Sequence, residues 1–256
     1  MRQVGKLWAL ACCALALAGL PAQARDWKAI KQSGTIQGVT EGQYAPFNFY
    51  EGSKLTGFEV ELAEALAKKM GLKLEWHAVA FDAQLAAIAQ DRFDFAIASH
   101  GYSEERAKAV DFANPHYCSG GQIAALPGGP LSAAALKGKT VAVQIATSYY
   151  EAAKKIPGVG DIKTYKDDAT AFAAFRSKKV DAWISDRFVI KSTLDQNPNS
   201  GAKTGDMVFV ERIAMITRKN NKELLDQWNA ALAAAIKDGT YKALSDKYFK
   251  SDIACH

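Results

Sequence analysis

Two stretches of this 256-residue chain repeat one order of predicted elements, strand–helix–strand–helix–strand. Phe93 to Ala98 is nearly all apolar, which is typical of a parallel-sheet strand covered by helices on both faces. Phe58 to Met70 has helical periodicity, and Asp82 is expected to cap a second helix. The first stretch is predicted to contain strands 36–39, 72–76 and 93–98 and helices 58–70 and 82–90. The second is predicted to contain strands 140–143, 161–165 and 180–185 and helices 147–155 and 168–177.

These two units predict an α/β chain with two parallel-centred sheets flanked by helices, because parallel strands need crossover connections. Strands at 123–126 and 208–217 are expected to run between the two resulting lobes and to form a two-segment hinge. Ligands of such sheets bind beyond the carboxyl ends of the strands. The expected division is lobe one, residues 25–119 and 213–256, and lobe two, residues 120–212, with helices 221–237 and 240–249 returning to lobe one.

The first 24 residues are predicted to be a cleaved export signal. A positively charged start precedes the apolar run Leu7 to Leu20, and Ala22-Gln23-Ala24 is a small-x-small cleavage motif. The run is shorter than the roughly 20 residues of a membrane-spanning helix, so export is favoured over an anchor. The residues before Cys12 form a poor lipoprotein-processing motif. Cleavage after Ala24 and a periplasmic location are therefore expected.

The net charge gives no sign of a polyanionic partner. Without Arg2 and Lys6 of the leader, the 32 basic residues become 30, against 27 acidic residues, which leaves a net charge of +3. The basic residues are scattered along the chain, so neither nucleic acid nor a membrane surface is indicated as a partner.

Cys118 and Cys255 remain after the predicted cleavage. In an oxidising compartment, two cysteines most simply form one disulfide. His116 and His256 lie beside them, so a zinc site is the alternative if the two segments meet with tetrahedral geometry. Both interpretations bring the C-terminal tail to the segment around Cys118.

Short motifs follow one another in a specific order along the mature chain. They are Tyr44-Ala45-Pro46-Phe47, Gly57-Phe58-Glu59-Val60-Glu61-Leu62-Ala63, Ser103-Glu104-Glu105-Arg106-Ala107, Val110-Asp111-Phe112-Ala113, Val180-Asp181-Ala182 with Asp186, and Asp238-Gly239-Thr240-Tyr241. Through them the sequence resembles the family 3 extracellular solute-binding proteins, which are polar amino-acid receptors of ABC importers. The resemblance implies the type II periplasmic-binding-protein fold, which agrees with the two hinged lobes predicted above.

The resemblance also implies roles for charged residues. Arg106 is expected to hold the ligand's carboxylate, because a guanidinium fork makes two parallel hydrogen bonds to it. Asp186 is expected to receive an α-amino group, since an ammonium in a closed cleft needs a paired charge. Thr147 and Ser148 open a helix whose N–H groups favour an anion. The alternatives are a surface ion pair of Arg106 with Glu104, Glu105 or Asp111, and plain helix caps at Asp186 and at Thr147 with Ser148.

The remaining predicted contacts concern the ligand's side chain. Tyr44 and Phe81 match aromatic positions that enclose it, although Phe81 also fits an ordinary core position. Glu41 matches a position where family members often carry an acid that contacts the distal end, which favours a cationic or amide-bearing side chain. Ser99 completes the set in lobe one.

Two positions depart from the family pattern. Gly101 stands where Ser or Thr usually helps to hold the amino group, and Ala146 stands where Gly is usual. Losing one hydroxyl removes roughly 1 kcal/mol of hydrogen bonding. These departures leave the identity of the ligand open, and with it the α-amino acid class.

The sequence is therefore interpreted as a monomeric substrate-binding component of an ABC importer, which binds a small polar metabolite, above all an amino acid. Neither a catalytic activity, a cofactor nor a metal is expected. A rival interpretation is a periplasmic enzyme on the same fold, similar to cyclohexadienyl dehydratases, in which Glu41 or His100 takes part in proton transfer. A third interpretation is a sensor that presents its ligand-bound state to a receptor.

Overall fold

A computed structural model of the chain describes residues 25–255. The predicted leader 1–24, its cleavage site and His256 lie outside the described residues. Within the described part, no helix is long and apolar enough to cross a membrane.

Strands and helices alternate along most of the described chain. The strands are β1 (Thr35–Thr40), β2 (Gln43–Tyr44), β3 (Asn48–Glu51), β4 (Lys54–Thr56), β5 (Lys73–Ala78), β6 (Phe95–Ala96), β7 (Val110–Phe112), β8 (Tyr117–Ser119), β9 (Gly121–Ala125), β10 (Thr140–Gln144), β11 (Asp161–Tyr165), β12 (Ala182–Asp186), β13 (Lys203–Met207), β14 (Glu211–Ile213) and β15 (Ile216–Arg218). The α-helices are α1 (Trp27–Ser33), α2 (Phe58–Lys69), α3 (Phe81–Ala89), α4 (Glu104–Ala109), α5 (Ser148–Lys155), α6 (Asp168–Arg176), α7 (Arg187–Gln196), α8 (Lys222–Lys237) and α9 (Thr240–Phe249).

Both predicted βαβαβ units are present, and each forms the parallel centre of a five-stranded sheet. The first sheet has the strand order β5-β1-β6-β15-β7, in which β1 pairs in parallel with β5 and β6. The second has the order β11-β10-β12-β9-β13, in which β10 pairs in parallel with β11 and β12. The other two strands of each sheet are antiparallel. The α/β fold with two parallel-centred sheets is therefore confirmed.

A two-stranded antiparallel ribbon, β8 with β14, joins the two sheets. The chain leaves the first sheet after β7 and enters the second at β9; it returns from β13 through β14 to β15. The prediction of one strand over 208–217 is wrong, because β14 belongs to the ribbon and β15 to the first sheet. The prediction that the strand at 123–126 runs between the lobes is also wrong, because β9 pairs with β12 and β13 inside the second sheet and β8 is the crossing strand. The backbone must turn at Ala214 and Met215, where Ala214 N donates to His100 O and Met215 O accepts from Ala113 N.

Helix ends follow the capping rules at several positions but not at all predicted ones. Asp167 caps α6 by accepting a hydrogen bond from the Thr170 backbone N–H. The predicted cap at Asp82 is wrong, because α3 already begins at Phe81 and its N-cap is Ala80, without a side-chain hydrogen bond. Asp82 lies in the first turn instead, where its charge favours the helix N-terminus.

The predicted disulfide between Cys118 and Cys255 is confirmed, and it closes a loop with a sequence separation of 137. Cys118 lies in β8, and its backbone N–H also donates to Ile253 O in the C-terminal tail. The tail is therefore fixed to one strand of the ribbon. Because the two sulfurs are bonded to each other, they are not thiolate ligands for a metal, and the neighbouring His116 Nε2 lies 2.9 Å from Glu59 Oε1.

Candidate functional site

A small cavity of about 10 Å³ lies between the two sheets, next to the carboxyl ends of their central strands. Both sheets contribute to its wall, which is the arrangement expected for open parallel sheets. Six of the residues predicted from the sequence line it: Glu41, Tyr44, Phe81, Ser99, Thr147 and Ser148. Three further residues, Ala98, Gln144 and Tyr149, complete the lining.

Glu41 follows β1 directly and is only 8 % exposed. Its Oε1 accepts a 2.7 Å hydrogen bond from Nε2 of Gln144, the last residue of β10 in the other sheet. Burial above all, and then the nearby charges of Asp168 and Asp167, raise the pKa of the Glu41 carboxyl to about 8. This end of the cavity therefore stabilises a cationic group or a hydrogen-bond donor better than another anion.

Tyr44 and Phe81 form aromatic parts of the wall. The Tyr44 hydroxyl donates across the cleft to the hydroxyl of Tyr149 at 3.0 Å. Phe81 stacks on His100 with ring centroids 4.8 Å apart, and the Arg106 guanidinium lies 5.7 Å from the Phe81 ring. Phe81 thus lies on the cavity wall and is also packed from behind, so both interpretations of this residue apply.

Ser99 is held in place by the buried carboxylate of Glu59. The Ser99 backbone N–H donates to Glu59 Oε1 at 2.8 Å, and its hydroxyl donates to Oε2 at 3.1 Å. Ser99 also has a φ of +59°, which a non-glycine residue adopts only where its surroundings fix it. The hydroxyl is directed at Glu59, so the structure uses it to fix the loop.

Arg106 lies outside the inner cavity, in an outer cleft between the lobes that Gly101, Ser148 and Glu211 also line. Its Nη1 donates to Gly101 O at 2.8 Å, and its Nη2 donates to Ala146 O at 2.9 Å, from the second sheet's side of the cleft. The Nη2 bond joins the two sides of the cleft.

The alternative surface ion pair is not formed, because Arg106 uses these two carbonyl groups instead. Asp111, one of its proposed partners, accepts hydrogen bonds from Lys219 and from the Asn220 backbone.

Thr147 and Ser148 open α5 as predicted, but both side chains already have partners. Thr147 is the N-cap: its Oγ1 accepts from the Tyr150 backbone N–H and donates to Gln144 O at 2.7 Å. The Ser148 hydroxyl donates to Glu211 Oε1 at 3.0 Å. Ala146 precedes them with a φ of +62°, the left-handed region in which glycine would be unstrained.

Asp186 ends β12 and is completely buried. Its Oδ1 accepts from the Phe188 backbone N–H at 2.7 Å and caps α7, whereas its Oδ2 has no partner in residues 25–255. Burial raises the Asp186 pKa to about 6. The residue is not on the cavity wall, but its charge acts, after burial, to raise the pKa of Tyr44. One oxygen therefore serves the helix cap, and the other remains available.

The polar residues that sequence reasoning missed are Gln144, Tyr149, Glu211 and Glu59. Gln144 and Tyr149 lie at or just beyond the end of β10, so the rule that pointed to Thr147 would have found them as well. Glu211 reaches the site only through the pairing of β14, which no local pattern indicates. Within the described part of the chain, no group of three or more His, Cys, Asp or Glu is placed to hold a metal ion.

Residues 36–251 match the family model described as bacterial extracellular solute-binding proteins, family 3. This chain belongs to that family. The L-cystine-binding protein TcyJ of Escherichia coli is 37% identical over 229 residues, which cover 88% of this chain and 86% of TcyJ.

Two solved structures have the same fold and more than 30% identity. An ancestral arginine-binding protein bound to arginine is 36% identical with a TM-score of 0.81, covering 84% of this chain and 98% of its own. The ancestral amino acid-binding protein AncCDT-1, a precursor of cyclohexadienyl dehydratase, is 31% identical with a TM-score of 0.81, covering 87% and 98%. Both are amino-acid-binding proteins, and this chain shares their two-lobed fold.

Proposed function

We propose that this chain is the substrate-binding component of an ABC importer, which captures an amino acid between two closing lobes. The observation that carries the proposal is that polar side chains from both sheets meet across one cavity. Glu41 with Gln144 and Tyr44 with Tyr149 are the two direct contacts there. The lobes are residues 25–119 with 213–256 and residues 120–212, which move about the ribbon of β8 and β14.

The proposed ligand is a zwitterion with a polar distal group. Arg106 takes the carboxylate, and the free Oδ2 of Asp186 takes the α-ammonium once the lobes rearrange around it. Tyr44 and Phe81 flank the side chain, and Glu41 receives its distal end, which favours a cation or an amide.

The proposal includes export to the periplasm, cleavage after Ala24, action as a monomer, and recognition of the closed form by a permease in the inner membrane. Membership of an extracellular binding-protein family supports the location. The disulfide between Cys118 and Cys255 supports an oxidising compartment.

We propose no catalytic activity, even though AncCDT-1 is a precursor of an enzyme. The enzymatic alternative needs Glu41 or His100 for proton transfer, and the contacts of His100 argue against it. Gln84 donates through Nε2 to Val79 O, so its Oε1 accepts from His100 Nε2 at 2.9 Å. Burial lowers the pKa of His100 well below its usual value, and Arg106 adds to this. A neutral imidazole stacked behind Phe81 supports a structural role.

A thermal-shift screen of the exported protein tests the function. The panel contains L-cystine, L-arginine, L-glutamine and L-histidine, together with polyamines and simple organic acids. A ligand at about 100 times its dissociation constant adds about 2.7 kcal/mol to the free energy of unfolding, which raises the melting temperature measurably. Hits are then titrated by calorimetry. A shift with organic acids or polyamines and none with any amino acid would contradict the proposal.

A further inference from the structure

Gly101 and the carboxylate of Glu211 share one small volume beside the cleft. Gly101 forms an antiparallel bridge with Ile213, and Ala214 N donates to His100 O, so the segment after β6 runs alongside β14. A Cβ atom at position 101 would lie 1.8 Å from Glu211 Oε2 and 2.7 Å from its Cδ. Real Cβ contacts essentially never fall below 3.0 Å, so a side chain at 101 and Glu211 in this position exclude each other.

The Glu211 carboxylate is partly buried and faces the cleft with Arg106 and Ser148. Its Oε1 accepts from the Ser148 hydroxyl at 3.0 Å, while Oε2 is turned toward Gly101. Burial, with a smaller contribution from the charge of Asp186, raises the pKa of Glu211 to about 7, against the lowering effects of Ser148 and Arg106. An additional positive charge beside this carboxylate would therefore stabilise its ionised form.

Arg106 and Glu211 place opposite charges on either side of one residue. Arg106 Nη1 donates to Gly101 O, and Glu211 Oε2 lies against the α-carbon side of the same glycine. An α-amino acid carries its carboxylate and its ammonium on a single carbon, so its two charged groups match a cation and an anion this close together. The ammonium has three N–H donors and can serve more than one acceptor.

We propose that Glu211 is a ligand-binding residue that accepts the α-ammonium of the amino acid whose carboxylate Arg106 holds. Gly101 makes this possible by leaving the volume that the carboxylate fills. The inference rests on the proposed function and adds a second anionic acceptor to Asp186. This second acceptor makes the protein selective for a ligand with a free amine. Specificity then depends on a residue of β14, outside the central strands of both lobes.

Glu211→Gln tests the proposal, because it keeps the shape and removes the charge. A neutral amide is not expected to unfold the protein, since burial already opposes the charged form of Glu211. The control is Glu151→Gln: Glu151 lines the same outer cleft, but it is exposed and pairs with Lys154 at 2.8 Å. Circular dichroism and thermal unfolding check the fold of both variants.

Calorimetry with L-arginine and L-cystine measures free-amine binding, and N-acetyl-L-arginine is the amine-blocked probe. We expect Glu211→Gln to lose about 10- to 100-fold in affinity for the free amines, the usual range for a hydrogen bond to a charged group. Its affinity for N-acetyl-L-arginine should equal that of the wild type. Glu151→Gln should bind all three probes within about twofold of the wild type, as exposed pairs contribute little.

A double-mutant cycle tests the shared volume. Gly101→Ser alone should weaken binding, because the new side chain displaces Glu211. In a Glu211→Ala background the same serine has room, so its hydroxyl should restore part of the affinity that Glu211→Ala loses. If Gly101→Ser weakens binding in the wild type but strengthens it in the Glu211→Ala background, the two side chains compete for one position. Additive losses in the double variant would contradict it.

The possible failures are distinguishable. If the wild type binds the free amino acids and Glu211→Gln binds them equally well, the inference is wrong and the proposed function stands. Equal losses for L-arginine and N-acetyl-L-arginine would also overturn the inference, because Glu211 would then only position Arg106. If the wild type binds none of the free amino acids, the proposed function and this inference are both wrong.

Discussion

Binding of a cationic side chain at Glu41 should release a proton, so affinity should rise with pH. The groups facing Glu41 are Gln144 from β10 and the acidic Asp167 and Asp168 at the start of α6; burial and the two acids raise its pKa to about 8. A ligand cation favours the ionised carboxyl and lowers that pKa. The pH dependence of stability has the opposite sign. The contribution of Glu41 to the free energy of unfolding is fully present below its ordinary pKa and is lost as the pH rises toward about 8.

The size of the effect follows from the ionised fraction. With a pKa of about 8, Glu41 is about 1 % ionised at pH 6 and about half ionised at pH 8. If only the ionised form binds a guanidinium, the affinity for L-arginine rises about 50-fold between these pH values. L-Glutamine carries a neutral amide, which binds either form, so Glu41 should contribute no comparable slope for it.

Calorimetry at pH 6, 7 and 8, in buffers of different ionisation enthalpy, gives both the affinity and the number of protons released. Glu41→Gln is the matched variant because it removes only Glu41. The other carboxyls that titrate in the same pH range are unchanged in this variant: Asp168, Asp186 and Glu211. The variant should release about one proton fewer with L-arginine at pH 7 and lose the steep pH dependence. The same slope and proton count in wild type and Glu41→Gln would refute the reasoning.

Three further predictions concern the carboxylate, the amine and the disulfide. Arg106→Ala should cost about 2–5 kcal/mol in binding any carboxylate ligand, and Arg106→Lys should bind poorly because it lacks the planar fork; unchanged calorimetric affinity would remove Arg106 from the site. Asp186→Asn should cost about 3–5 kcal/mol for a free-amine ligand, and normal binding of both free and N-acetylated ligand would reduce Asp186 to a helix cap. Replacing Cys118 and Cys255 by Ala should lower the free energy of unfolding by about 5 kcal/mol, for a loop with a separation of 137. Denaturant unfolding measures this, and a change below about 1 kcal/mol would contradict it.

The fold was predictable because its strongest signals are local. The apolar run at Phe93 to Ala98 and the helical face from Phe58 indicate elements by periodicity alone, and two equal orders of elements imply two sheets. The carboxyl-end rule then brought Glu41 and Thr147 to one cavity, although they are far apart in sequence and belong to different sheets.

The parts of the site that escaped prediction depend on pairing between distant segments. The apolar character of 208–217 gives no indication that its backbone turns at Ala214 to leave the ribbon. Glu211 reaches Gly101 only because of that turn and of the bridge at Ile213. The sequence could likewise not show that one oxygen of Asp186 caps α7 while the other has no partner in residues 25–255. That division depends on atomic positions to within less than an ångström.

Glu59 explains how the hinge and the site can act together in this fold. It lies in the first turn of α2, where the helix dipole stabilises a carboxylate, and it is completely buried. It accepts hydrogen bonds from Ser99 in the site loop, from His116 just before the hinge strand β8, and from Asn48. Asn48 in turn accepts from the Gly42 backbone N–H, next to Glu41. A buried carboxylate is stable only while such donors remain in place, so the segments that carry Ser99, Glu41 and the hinge are held to one fixed point. When the second lobe closes, the binding residues of the first lobe are therefore already in position.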